Sequence, residues 1–207
     1  MQERYSAFSV KRRFFCNELS GKSQIIIALH GYGQLAQYFS RKFTNLDATY
    51  GLLIPEGPHR FYLEGSSGRV GASWMTKEWR EQDIEENTRY LTELIEKVKV
   101  ENKDASFILL GFSQGGATAA RLYQARPDLF EQLILWASVF PPDVSVQVFK
   151  KAEKLHFALG DQDPYFIADN KEDAIQTYKA LGFKIHQFEG KHDIDAPALN
   201  GILLSKD

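Results

Sequence analysis

Residues 107–117 constrain this chain more than any other stretch. Phe107, Ile108, Leu109 and Leu110 form a short apolar run of the kind buried in a parallel sheet. They lead without a linker into Gly111, Phe112, Ser113, Gln114, Gly115, Gly116 and Ala117. A G-x-S-x-G pattern between such a strand and a helix of small residues demands a tight, strained turn, and its glycines let the helix lie close against neighbouring strands. Ser113 then stands at the point of the turn, beside helix N-terminal amides that stabilise negative charge.

The rest of the chain repeats the alternation of buried run and helical pattern. Apolar runs recur at residues 25–29, 51–54, 133–136, 155–159 and 183–188, and residues 5–15 read as a long exposed strand. Between them, Ile84, Leu91, Leu94, Ile95 and Val98 share one helical stripe, with Asp83, three residues before Glu86, as its N-cap. Residues 115–125 and 171–181 read as two further helices, halted at Pro127 and Gly182. The pattern predicts an α/β fold with a mostly parallel central sheet of about seven strands and helices on both faces. Residues 55–73, with Gly57, Gly65, Gly68 and Gly71, have no clear period and read as one long loop, functional or disordered. Nothing divides residues 1–207 into more than a single domain.

Composition narrows the classes. At 207 residues with 43% hydrophobic and 25% charged side chains, the chain is an ordinary globular sequence, long enough to bury about 70% of its surface in one core. The single Cys16 forbids an internal disulfide and leaves no thiolate set for zinc, which favours a reducing compartment. A net charge of -2 offers no basic field for nucleic acid, and Lys11, Arg12 and Arg13 read as a solvated strand face. No apolar run approaches the ~20 residues of a membrane span, and residues 1–10 alternate polar with apolar instead of forming a leader, so the expected location is cytoplasmic. Asp161 and Asp163 lack the other ligands of a calcium loop, and His192, Asp193 and Asp195 have no metal-ligand spacing; no metal or other cofactor is expected.

A serine hydroxyl needs a base within hydrogen-bond reach and a third group to orient that base. Asp161 and Asp163 follow the run 155–159, and His192 follows the run 183–188; both loops sit at strand carboxyl ends, where open α/β sheets bind ligands. Pro164 restricts Asp163 to extended backbone, which fixes the direction of that carboxylate and favours it over Asp161. His156 and His186 fall within strands, and His59 in the loop before the serine. The segment His30, Gly31, Tyr32, Gly33 after the first buried run fits one half of an oxyanion hole, with the Gln114 amide as the other half and His30 as a packing residue. Tyr32, Phe112, Trp74, Val139 and Phe140 flank this site and suggest a moderately apolar acyl pocket in a shallow open cleft, although each alone reads equally as core.

His30 to Gly33, Gly111 to Ala117, the Asp163 and Pro164 pair and His192, at these separations, resemble the phospholipase/carboxylesterase family of α/β hydrolases, which includes the acyl-protein thioesterases. The resemblance implies a cofactor-free hydrolase of small carboxylic esters or thioesters working through an acyl-enzyme. It implies Ser113 as nucleophile, Asp163 as acid, His192 as base, and the Tyr32 and Gln114 amides as oxyanion hole. Residues 65–76 resemble the family only through Ser73 and Trp74, and residues 139–142 are loosely similar.

Two other readings stay open. Gly31, Gly33 and Ala36 also match G-x-G-x-x-A after a strand, with Glu56 twenty residues beyond Ala36, as in a dinucleotide-binding oxidoreductase. Against it, Glu56 follows Pro55 instead of ending the strand, and Ser113, Asp163 and His192 are left without a role. The alternative of a non-catalytic binding module on the same fold expects a missing partner residue, and none is missing.

Overall fold

The computed structural model describes residues 1–166 and 168–205. Its centre is β6 (Ser106–Phe112), buried at every position but the first. Around it the apolar runs assemble in the spatial order β1 (Phe14–Cys16), β3 (Gly51–Pro55), β2 (Gln24–Leu29), β6, β7 (Gln132–Trp136), β8 (Leu155–Gly160) and β9 (Lys184–Phe188). All neighbours run parallel except β1, which pairs antiparallel with β3 at the edge. The chain is thus an α/β hydrolase fold, a mixed and mostly parallel seven-stranded sheet.

The order places a topological switch between β2 and β6. The chain moves outward from β2 to β3 on one side, then returns to place β6 on the other. Leu29 pairs with Gly111, so the two strands end level, and the residues after them face one crevice. This register brings the turn after β2 beside Ser113. Helix α3 (Gln114–Ala125) leaves that point and packs across β6, β7 and β2.

Several sequence expectations are corrected. Residues 5–15 are not a long strand: only β1 pairs, because alternation at residues 5–10 finds no neighbouring edge. Arg13 is exposed as expected but lies before β1, and it holds the buried carboxylate of Glu56 through three bonds of 2.7, 2.9 and 3.2 Å. Residues 55–73 are not one loop; they contain the antiparallel hairpin of β4 (His59–Glu64) and β5 (Ser67–Ser73). Helix α2 (Arg80–Glu101) begins one turn before Asp83, which lies inside it and accepts the Thr76 N–H instead of capping. A short α1 (Ala36–Phe39) and a C-terminal α5 (Ala196–Leu204) were not foreseen, whereas α4 (Ala168–Ala180) covers the predicted third helix.

Candidate active site

Ser113 has φ 54° and ψ −119°, a strained conformation that costs on the order of 1–3 kcal/mol in a non-glycine residue. The surroundings hold it there. Its N–H donates to the Trp136 carbonyl and its own carbonyl accepts the Gly116 N–H, both at 2.9 Å. A Cβ on Gly115 would lie 2.3 Å from the Leu29 carbonyl oxygen, and one on Gly116 would lie 2.3 Å from Ser138 Cβ. Helix α3 therefore starts against the β2 backbone because Gly115 lacks a side chain, and against Ser138 because Gly116 does.

The hydroxyl so presented meets the later loops. Ser113 Oγ lies 3.0 Å from His192 Nε2, and His192 Nδ1 lies 2.7 Å from Asp163 Oδ2. Asp163 is only 2% exposed, and its other oxygen accepts the Tyr165 N–H at 2.9 Å. The structure thus joins Ser113, His192 and Asp163 in one chain of hydrogen bonds. Asp161 lies outside it and serves the loop: its Oδ1 accepts the Gly190 N–H at 2.9 Å, while the Gln162 N–H reaches the Gly190 carbonyl at 2.8 Å. The acid loop and the histidine loop are laced together. Trp136 adds an indole bond of 2.9 Å to the Asp193 carbonyl, and Lys42 pairs with the Asp193 carboxylate.

The turn after β2 is braced from the opposite side. Gly33 donates to the Ala72 carbonyl at 2.9 Å, Ala72 donates to the Gln34 carbonyl at 3.2 Å, and Gln34 Oε1 accepts the Gly31 N–H at 2.9 Å. Hairpin strand β5 thus continues into an antiparallel bridge with the turn. The Tyr32 and Gln114 amides donate to no protein acceptor among the described residues. His30 is buried, accepts the Gly57 N–H on Nε2 at 2.9 Å, and so carries its proton on Nδ1 against the Gly31 carbonyl. Burial pushes its pKa below the ordinary value.

Of the five side chains expected to flank a pocket, Tyr32 is exposed against the Phe61 ring, 5.0 Å between centroids, and the other four divide. Trp74 and Phe112 are core residues; the Trp74 indole donates to the His30 carbonyl at 2.8 Å and supports the turn from below. Val139 and Phe140 border a pocket of about 310 Å³ together with Tyr165 and Phe166. A second hollow of about 600 Å³ begins at Gly33 and is lined by Leu35, Tyr38, Leu63 and Val70. One pocket includes Tyr165, two residues after Asp163, and the other starts at the turn after β2. Sequence reasoning missed the bracing side chains of Gln34 and Gln114 and the hairpin; a glutamine directly after the serine and the Ser73, Trp74 pair were the available signals.

Residues 15–203 match the phospholipase/carboxylesterase family. The chain belongs to this family. Solved structures of similar fold include esterase PE8 (19% identity, 93% of this chain and 96% of that one, TM-score 0.67). A carboxylesterase from Bacillus cereus (14%, 93% and 92%, 0.62) and acyl-protein thioesterase 2 from Zea mays (18%, 92% and 95%, 0.64) are also similar. No curated protein sequence matches the chain. Within the phospholipase/carboxylesterase fold the turn of Gly31, Gly33 and Ala36 is built differently from a dinucleotide site. Glu56 does not face a ribose: Arg13 and Arg60 bind it, and it accepts the Ala36 N–H at 3.2 Å. The helix that follows the turn has only four residues. Among the described residues no helix is long and apolar enough to cross a membrane.

Proposed function

We propose that this chain hydrolyses carboxylic esters or thioesters of short to medium acyl chains through a covalent acyl-enzyme. The observation that carries the reading is the hydrogen-bond chain from Ser113 Oγ through His192 to Asp163, at 3.0 and 2.7 Å. His192 Nε2 takes the Ser113 proton as Oγ attacks the acyl carbonyl, and Asp163 keeps the imidazole in the tautomer that leaves Nε2 free to accept. The oxygen of the tetrahedral intermediate turns toward the Tyr32 and Gln114 amides, each donor contributing about 3 to 4 kcal/mol in comparable sites. His192 then protonates the departing alcohol or thiol. Water activated by the same nitrogen breaks the Ser113 ester and restores the hydroxyl.

A small ester or thioester is the partner this reading requires, and the lone exposed Cys16 suits a reducing compartment such as the cytoplasm. The deciding experiment is hydrolysis of p-nitrophenyl acetate by the parent chain and by Ser113→Ala, with fluorophosphonate labelling mapped by peptide mass. Loss of about 10⁶ in kcat and of the label supports the reading. Undiminished turnover or labelling in the alanine variant places the nucleophile elsewhere.

A further inference from the structure

His192 is touched by two aromatic rings. Phe112 reaches it from the core, with centroids 4.9 Å apart at 45°, and Tyr165 reaches it from the solvent side, 4.6 Å apart at 59°. Phe112 is fully buried and holds the end of β6, so its position follows from packing. Tyr165 is 72% exposed, a large apolar ring whose placement burial does not explain. Its main chain is fixed all the same: Pro164 precedes it and its N–H is held by Asp163 Oδ1 at 2.9 Å. The residue that grips the acid through its backbone therefore lays its side chain on the base.

We propose that Tyr165 is a positioning residue for His192, its ring confining the imidazole in the plane that spans Asp163 and Ser113 and keeping water from the proton on Nδ1. The inference rests on the hydrolase reading above. An imidazole bonded at both nitrogens still pivots about its Cβ–Cγ bond when one partner leaves, as Ser113 Oγ does once acylated. At that stage the ring contacts and the single bond to Asp163 are what remain to hold Nε2 toward the incoming water. Tyr165 is suited to this because the ring can be removed without touching the acid: the bond to Asp163 comes from its main chain.

The test compares the parent chain with Tyr165→Ala and Tyr165→Phe by two readouts. The first is the proton resonance of His192 Nδ1 in ¹H NMR, assigned by its absence in His192→Gln. The second is the split of kcat and KM for p-nitrophenyl acetate, a substrate too small to need the pocket beyond Tyr165. We expect Tyr165→Ala to broaden the Nδ1 proton by exchange with water and to lower kcat by roughly 2- to 13-fold, the rate equivalent of an aromatic pair, with KM little changed. Tyr165→Phe keeps the ring and restores both. An alanine variant whose Nδ1 proton and kcat match the parent overturns the proposal, as does a phenylalanine variant that behaves like alanine. A parent chain without esterase turnover defeats the hydrolase reading instead, and the NMR comparison then judges the ring contact by itself.

Discussion

Gln114 Oε1 accepts the main-chain N–H of Trp74 at 3.0 Å, and its Nε2 donates to the Met75 carbonyl at 2.9 Å. The residue after Ser113 is thereby fastened to the strand end that also braces the turn at Gly33. Its side chain serves the scaffold, and in the proposed mechanism its amide is the part that serves substrate.

Gln114→Ala keeps the amide and removes the fastening. It leaves the Trp74 N–H without its acceptor, while the Met75 carbonyl keeps the Ser73 hydroxyl at 2.8 Å; the unpaired N–H costs about 1–3 kcal/mol of stability. Urea unfolding should show that loss, and kcat should fall by at least as large a factor as in variants of equal stability far from the site. A variant with parental stability and turnover contradicts the assignment.

The two carboxylates of the acid loop should separate cleanly. Asp163→Asn favours the wrong imidazole tautomer and lowers kcat by up to about 10⁴, whereas Asp161→Asn retains an oxygen for the Gly190 N–H and costs far less. Steady-state kinetics on one activated ester ranks them. The opposite ranking would show that Asp161 is the acid.

Two glycine substitutions should move stability in opposite directions. Gly115→Ala drives a Cβ to 2.3 Å from the Leu29 carbonyl, so α3 must shift away from β2, at a cost of about 3 kcal/mol or more. Gly201→Ala, inside α5 with nothing within 4 Å, gains about 0.5–1 kcal/mol of helix propensity. Denaturant midpoints measure both.

Acid should destabilise the fold from pH 6.5 downward. The folded pKa of His30 is lowered by burial, so near pH 6.5 the unfolded chain takes up a proton that the folded chain refuses. The stability is complete above that pH and is lost as pH falls toward the lowered folded value. His186, lowered by burial and by Lys184, adds in the same direction. Urea unfolding at pH 7.5 and 5.5 should show the drop, at most about 1.4 kcal/mol per pH unit for each histidine. A flat profile would mean that folding leaves proton binding unchanged, and stability that rises toward acid would mean that the fold takes up protons, either of which contradicts the expectation.

Acyl selectivity follows from pocket size. Each buried methylene adds up to about 0.8 kcal/mol, so kcat/KM should climb over the first few carbons and then level off as the hollows of about 310 or 600 Å³ fill. Hydrolysis across an ester series reads this directly. Continued gains to sixteen carbons, with activity only above the micellar threshold, would describe a different cleft.

What was legible in the sequence was the chemistry encoded by local steric demand. Gly111, Gly115 and Gly116 around Ser113 announce a turn that only close backbone approach requires, and the Asp163, Pro164 step singles out the carboxylate that the structure brings to His192. What was hidden depended on pairing at a distance. Strand β4 is exposed at nearly every residue, so Arg60, Phe61, Tyr62 and Leu63 show no burial alternation, and the glycines of β5 read as loop. Residues 5–10 show the converse error, since their alternation is real but no strand edge receives it. Helix α5 did carry a signal: Asp195 accepts the Ala198 N–H at 2.7 Å and Pro197 sits in the first turn, an N-terminal cap that precedes an apolar run too short for its period to register.

The hairpin of β4 and β5 stands outside the main sheet, rooted by Ala72 at Gly33 and Gln34 and open at its tip, where a side chain on Gly65 would meet nothing within 4 Å. Root and tip are therefore under different constraint. The root holds the turn after β2, which the proposed mechanism uses to bind oxygen, while Leu63 and Val70 line the larger of the two hollows and belong to no strand of the main sheet. If the proposed function holds, such a division lets a lineage, or an engineer, lengthen or recompose the tip to change which acyl groups are admitted while Ser113, His192 and Asp163 stay in register.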